Sequence, residues 1–386
     1  MVKRRRLPLQ TVVTVLVCCA LWIALGSQIV GGARKHDFLH LYAGASFALE
    51  GRFADLQKPD ILFAREREFV PSLDAWLPFV RPHFYALVLA PLALMPYVTA
   101  FWVWVGLQSA LLVGCWYWAY RRWGPDALIF GALYLPTALG IASGQDCVMM
   151  LAILIGAYVL AERERDLPAG AVLALGMIKF HLFLLWPVIF LVQRRWRMLA
   201  GFAAVVAGEI GLSLLLAGPS GIANYIALLR RKDLEHLNPS PERMIDVHAL
   251  ALNFGTESLL VRGLLVAAVV ALAAWASWRA PLWRWFAAAT AGSLLIAPHV
   301  YGYDAGMLLL PVWLAIYNAT DLGTRLAATA LATPIPFLMT LAGKPWAAAA
   351  PIFILIFLAN LAIRNLPTRR LQTPDEFESP RAHTSG

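Results

Sequence analysis

His36, Asp37 and His40 stand in the order H-D-x-x-H within KHDFLHLYAGASFALEG, residues 35–51. The spacing sets two imidazoles four apart, on one helical face, with an acid between them. Zinc metalloproteases carry H-E-x-x-H in that pattern, with the Glu as general base. Asp is one methylene shorter and would hold an attacking water differently. No third-ligand motif follows, although His83, His248 and His299 are available. Three chemistries are open at Asp37: the base of a zinc protease built on His36 and His40, the base of another reaction, or a solvated acid just outside a membrane.

The other reactive side chains are spread along the chain. VRPHFYALVLAPLALMP (80–96) puts Arg81, His83 and Tyr85 at the head of a short apolar helix. Arg81 or His83 there suits an anionic headgroup, or merely anchors the helix at an interface. SGQDCVMM places Gln145 and Asp146 at a helix start, where an acid also favours the helix dipole. GMIKFHLFLLWP carries Lys179 and His181 between two apolar halves. A Lys at that depth needs a partner or a water-filled cavity, and an anionic ligand such as a phosphate would supply one. IAPHVYGYDAGMLLLP gathers His299, Tyr301, Tyr303 and Asp304. Arg230, Arg231 and Lys232 precede a stretch with His248 and Asn253 near membrane re-entry. That basic run suits anionic lipid headgroups.

The elements that must position these residues are apolar. The chain is 60% hydrophobic and 14% charged, where a soluble domain runs nearer a quarter charged. It reads as an all-α polytopic membrane protein. The net charge of +9 comes in short clusters between apolar runs, so it reads as topology signals and not as a nucleic-acid surface. The four cysteines show no metal-ligand spacing and read as packing residues.

Lys3 to Arg6 precede an apolar run from Leu9 to Val30, too long for a signal peptide and long enough to span. Further runs follow at about 97–119, 126–142, 146–161, 168–192, 198–217, 258–278, 284–297, 304–319, 325–341 and 346–363. Splitting 168–192 at Lys179 gives about 12 crossings. The basic clusters then share one side with Lys3 to Arg6, so both termini are expected in the cytoplasm. Residues 1–366 read as one integral-membrane domain and 367–386 as a disordered cytoplasmic tail. The long loops and isolated polar residues collect on the extracytoplasmic face. Residues 40–50 and 84–95 read there as short interfacial or re-entrant helices.

An acid with phosphate-binding cations on that face suits a lipid-linked phosphosugar. The Asp would take a proton from an acceptor hydroxyl, and Lys, Arg or His would balance charge on the departing phosphate. Cytosolic nucleotide sugars do not reach an outward face, so a polyprenyl-phosphate donor fits.

At HDFLHLYAGASFALEGR, RPHFYALVLAPLALMPYVTAFWVW, the long stretch from SGQDCVMM to QRRWR, and APHVYGYDAGMLLLP, the sequence resembles glycosyltransferase family 87. The resemblance runs from about 30 to 363 and rests on the order and spacing of these motifs. It implies the C-type glycosyltransferase membrane fold and a polyprenyl-phosphate sugar donor, typically mannose. It implies that Asp37 is the general base and that Gly144-Gln145, Lys179 and Pro298-His299 fall on family positions, with Lys179 and His299 near the donor phosphate. Two positions depart from the family: Asp146 where Asn is common, and His83 to Ala86 where a Tyr-Pro-Pro stretch is common.

The expectation is a hexosyltransferase at the outer face of a bacterial plasma membrane, acting on a lipid or glycan acceptor among membrane lipids. Asp37 is its base, and Arg81, His83, Gln145, Lys179, His181, His248, His299, Tyr301 and Asp304 bind substrate. Neither metal nor other cofactor is required, and no nucleic acid is a partner. A lipid or small-molecule transporter with Lys179 in its path, and a zinc protease using His36 and His40, are the alternatives.

Overall fold

Helix length follows where the apolar runs are broken. The structure, a computed structural model, describes residues 8–31, 37–231 and 240–363. His36, Lys3 to Arg6, Lys232 and the expected tail lie outside these. The described residues form eighteen α-helices and no strand.

Helix α1 spans Leu9–Gly31, α2 Phe38–Leu49 and α3 Pro59–Phe69. Helix α4, His83–Leu89, passes through a tighter turn at Ala90–Leu94 to α5, Tyr97–Trp123. Then come α6 (Asp126–Leu133), α7 (Leu135–Ala142), α8 (Cys147–Glu162), α9 (Asp166–Ala174), α10 (Trp186–Val192) and α11 (Trp196–Leu229). The last part holds α12 (Val247–Asn253), α13 (Leu259–Ser277), α14 (Leu282–Ile296), α15 (Leu309–Asn318), α16 (Leu322–Ala332), α17 (Ile335–Met339) and α18 (Ala349–Ile363).

Among the described residues, four helices are long and apolar enough to cross a membrane: α5, α11, α13, and the stretch Trp346–Ile363. A fifth counts if Leu322–Ala332 and Ile335–Ala342, bent by 55°, form one span. This is a polytopic helical membrane protein, and its described residues hold four or five such spans where hydropathy gave about 12 crossings. The reason is local. Apolar runs are interrupted at Tyr134 ahead of Pro136, at Lys179, and at Pro334, and each fragment falls short of about 20 residues. Helix α11 breaks at Gly218 (φ 66°, ψ 178°), where the apolar run was expected to end, and a second helical stretch runs on from Pro219 to Leu229. Large apolar side chains stay exposed along α5, α11 and α13, Trp102, Leu215 and Leu260 among them, as lipid-facing surfaces require.

Helix α2, read as an interfacial or re-entrant helix, has Phe38 to Ala48 all buried, packed against α4, α3 and the 90–94 turn. A helix apolar on every side is a core helix. Helix α4 keeps the interfacial character, exposing Leu87 and Val88.

Close packing is achieved by small residues, as membrane helices require. Helices α9 and α11 cross at Gly170 and Gly201, where a Cβ would run into the backbone carbonyls of Met198 and Leu167. Arg122 of α5 pairs with Glu162 at the end of α8, and Arg195 with Asp166 at 3.2 Å. These pairs tie several helix ends together at one pole, and the reactive residues gather elsewhere.

Between α2 and α4 the chain covers α2 with α3. Glu66 of α3 is fully buried and accepts a hydrogen bond from Leu77 N at 2.9 Å. Burial pushes its carboxyl up to about 8. The native state therefore keeps a proton that the unfolded chain releases near its ordinary value, so this contribution fades as pH rises toward 8. Glu66→Gln should melt a few degrees higher than wild type at pH 8 and match it near pH 5. An equal shift at both pH values, read from melting in detergent, would contradict this.

Candidate active site

Lys179 stands where the apolar run leaves helical geometry, at φ −112° and ψ 59°. The break turns its side chain, 2% exposed, into a nest of acceptors. Its ammonium lies 2.7 Å from Asp304 Oδ1, 2.9 Å from Asp146 Oδ1 and 3.1 Å from Gln145 Oε1. Three protons meet three acceptors. The partner expected to be an anionic ligand is thus provided by the chain's own carboxylates.

Arg81 closes the other side. Its Nε and Nη2 each lie 3.3 Å from an oxygen of Asp146, the two-pronged geometry that suits a guanidinium. Nη2 is also 3.5 Å from Gln145 Oε1. With its carbonyl oxygen between two cations, Gln145 must turn its amide nitrogen the other way. That nitrogen donates to Asp37 Oδ2 at 3.0 Å. Asp304 is held in turn by Tyr301 N, 3.1 Å from its Oδ2. Tyr303 presents its ring 5.6 Å from Lys179 Nζ.

Asp37 precedes α2 and is only half-buried, whereas Asp146 and Asp304 are buried. From this network it receives a neutral amide and not a cation. Burial pushes its carboxyl above the usual carboxylate range, and the Gln145 bond and the Lys179 charge draw it partly back. A half-exposed carboxylate with a raised proton affinity, fixed on one oxygen, is equipped to accept a proton from an incoming hydroxyl.

The turn that presents Gln145 and Asp146 depends on one glycine. Gly144 has φ +70°, its carbonyl accepts from Trp104 Nε1 at 3.0 Å, and a Cβ would sit 2.7 Å from Phe38 Cβ. A left-handed non-glycine residue costs about 1–2 kcal/mol before any clash. Gly144→Ala should therefore lower melting temperature and any Asp37-dependent activity together. A variant with wild-type melting and turnover would remove the turn from the argument.

Histidines surround the network unevenly. His40 is buried against Phe79, with ring centroids 6.4 Å apart, and burial with the Arg81 charge pushes it down to about 3. His181 is buried and its ring lies 6.4 Å from that of His299, which is exposed and 5.3 Å from Tyr301. His83 points elsewhere, its ring 5.7 Å from that of Tyr225 on α11. His248 stands on α12, in a segment that joins residue 300 through Ile245 N to Val300 O at 3.0 Å. The H-D-x-x-H pairing cannot be followed, since His36 lies outside the described residues. Among those residues, no group of three or more His, Cys, Asp or Glu is placed to hold a metal ion.

Of the residues expected to form a site, Asp37, Arg81, Gln145, Lys179, Tyr301 and Asp304 meet in one network, with His181 and His299 paired near Tyr301. Sequence reasoning weighed Asp146 as a helix-start acid but did not count it among the substrate-binding residues; it binds both cations. Two signals pointed to it: a cation at Lys179 needing a counter-charge, and Asp standing where the resembling family commonly has Asn.

The Glycosyltransferase family 87 model matches residues 79–311. The polyprenol-phosphate-mannose-dependent alpha-(1-2)-phosphatidylinositol pentamannoside mannosyltransferase of Mycolicibacterium smegmatis is 30% identical over 292 residues, covering 70% of this chain. The chain spans 65% of the length of that relative. No solved structure matches.

Proposed function

The chain belongs to glycosyltransferase family 87, and from that premise we propose that it transfers a hexose, mannose first among them, from a polyprenyl-phosphate donor to a hydroxyl of a lipid or glycan acceptor. The relative's dependence on polyprenol-phosphate-mannose supports the donor. The observation that carries the mechanism is the hydrogen bond from Gln145 to a half-exposed Asp37, with Gln145 itself locked by Lys179 and Arg81.

In this reading Asp37 removes the proton of the acceptor hydroxyl. The oxygen attacks the anomeric carbon, the bond from that carbon to the phosphate oxygen breaks, and polyprenyl phosphate leaves with the electron pair. Attack opposite the leaving group inverts the anomeric centre. His299, with His181 and Tyr301 beside it, donates a hydrogen bond to the phosphate. Lys179 and Arg81 act beneath them, mainly by fixing Gln145 and Asp146. His83 and His248 serve more distant parts of the substrates.

The same reading makes residues 1–366 one integral-membrane domain of about 12 crossings in a bacterial plasma membrane. Both termini face the cytoplasm and the Asp37 network faces outward. The clustering of Arg122, Arg195 and their partners at one pole supports that sidedness.

The test is release of polyprenyl phosphate from polyprenyl-phosphate-mannose by purified protein in detergent, with a membrane lipid extract and a chelator present. Release that needs the extract supports transfer. Movement of lipid-linked sugar across liposomes without acceptor would favour a transporter instead. Activity restored only by added zinc would point back to His36 and His40.

A further inference from the structure

Two membrane-spanning helices end side by side at the pole where Arg195 pairs with Asp166. Helix α11 begins at Trp196 and α13 finishes at Ser277, and both are long and apolar enough to cross. The side-chain amide of Gln193, at the end of α10, donates to the carbonyl of Ser277. The turn into α11 therefore lies against the turn out of α13. Arg195 reaches Asp166 at 3.2 Å and brings the α8–α9 turn beside them.

What these turns expose is cationic. Arg194, Arg197 and Arg279 are exposed, and their guanidiniums have no ion pair or hydrogen bond among the described residues. Arg194 and Arg279 stand at φ 55° and 51°. Glycine takes that left-handed backbone freely, and a side chain takes it only with strain. Two turns thus carry a charge where backbone preference alone would select no side chain. The acids nearby do not balance them. Asp166 holds Arg195, and Glu162 holds Arg122. Glu164 is exposed between Arg163 and Arg165, which are exposed as well.

Depth selects the occupant. Trp196 opens α11 and Trp278 follows α13, and they are 60% and 54% exposed. Leu191 and Trp275 are exposed just inside the same helix ends. Tryptophan at the end of a spanning helix settles at the level of the lipid headgroups. Cations at that level meet lipid phosphates, and an anionic headgroup carries a net charge that a zwitterionic one lacks.

We propose that Arg194, Arg197 and Arg279 form a binding site for an anionic phospholipid, its phosphate held by the guanidiniums and its chains laid along Leu191 and Trp275. The site is separate from the Asp37 network and does not depend on sugar transfer.

The test is melting of the delipidated full chain in detergent as phosphatidylglycerol is titrated, with phosphatidylcholine, inorganic phosphate and polyglutamate in parallel. A ligand that binds the folded state raises the melting temperature. Phosphatidylglycerol should do so at a lower concentration than phosphatidylcholine. Arg194→Gln/Arg279→Gln should melt like wild type without lipid, since both side chains are exposed and unpaired. It should need about tenfold more phosphatidylglycerol for the same rise, the effect of losing two surface cations. Arg197→Gln should shift the titration in the same direction by less. Arg163→Gln/Arg165→Gln removes the same charge from the neighbouring turn and should keep most of the response. Equal responses to the two lipids, or an equal loss in both double variants, overturns the proposal, the second by showing that net charge alone is felt. Inorganic phosphate matching phosphatidylglycerol would replace the lipid with a free anion, and polyglutamate matching it would replace the lipid with an acidic protein; either overturns the assignment.

Discussion

Asp37→Asn should lower release of polyprenyl phosphate by roughly 10²- to 10⁴-fold, the usual contribution of a positioned general base, and leave the protein folded. The geometry explains why the two effects separate. Gln145 keeps its carbonyl oxygen on Lys179 and Arg81 at 3.1 and 3.5 Å, so its amide nitrogen must face residue 37. An Asn oxygen at that place still accepts the bond that Asp37 Oδ2 accepts at 3.0 Å. No charge pair is broken, and only the capacity to take a proton is lost. Melting temperature should therefore stay close to wild type.

The pH profile gives a second reading of the same residue. The base works only when deprotonated, and burial raises its proton affinity above that of an ordinary aspartate. The acid limb of kcat/KM should thus fall off at a higher pH than an exposed carboxylate would give. Turnover should be lost as pH falls through that limb. Near-wild-type release by Asp37→Asn would remove Asp37 as the base.

Lys179→Met should be the most damaging single change in stability. The ammonium neutralises Asp146 and Asp304 at 2.9 and 2.7 Å, and both carboxylates are almost wholly buried. Removing one member of such a group costs about 3–5 kcal/mol, because the remaining charge is left without compensation. Poor yield in detergent, a melting temperature many degrees lower and no detectable transfer are expected.

The double variant Lys179→Met/Asp304→Asn separates structure from chemistry. It deletes a charge of each sign, and Arg81 still holds Asp146 by two 3.3 Å contacts. Stability should return in part. Activity should not, since Gln145 has lost the stronger of its two cationic anchors. If the double variant melts no higher than the single one, the ion pair is not what holds this region. If Lys179→Met alone melts and turns over like wild type, the network has no role.

Much of this arrangement was legible before any coordinates. Lys179 could not sit inside an unbroken apolar helix, and the run breaks there. The turn at 143–146 and the short helices at 38–49 and 83–94 followed from hydropathy and from Gly and Pro placement. Other features were less visible. The break at Tyr134, ahead of a buried Pro136, falls inside an apolar run over which hydropathy averages. Helix α2 is as apolar as a surface-seeking helix, and only its neighbours show that it is enclosed.

The sequence by itself determined which segments are apolar enough for a membrane and which polar groups sit among them out of place. Hydropathy and helical period are local sums, read within a window of about 20 residues. Tertiary structure alone decided the pairing: Arg81 with Asp146, 65 residues apart, Asp37 with Gln145 at 108, and Lys179 with Asp304 at 125. A buried charge states that it needs a partner. Which of several distant acids answers depends on how the helices between them pack.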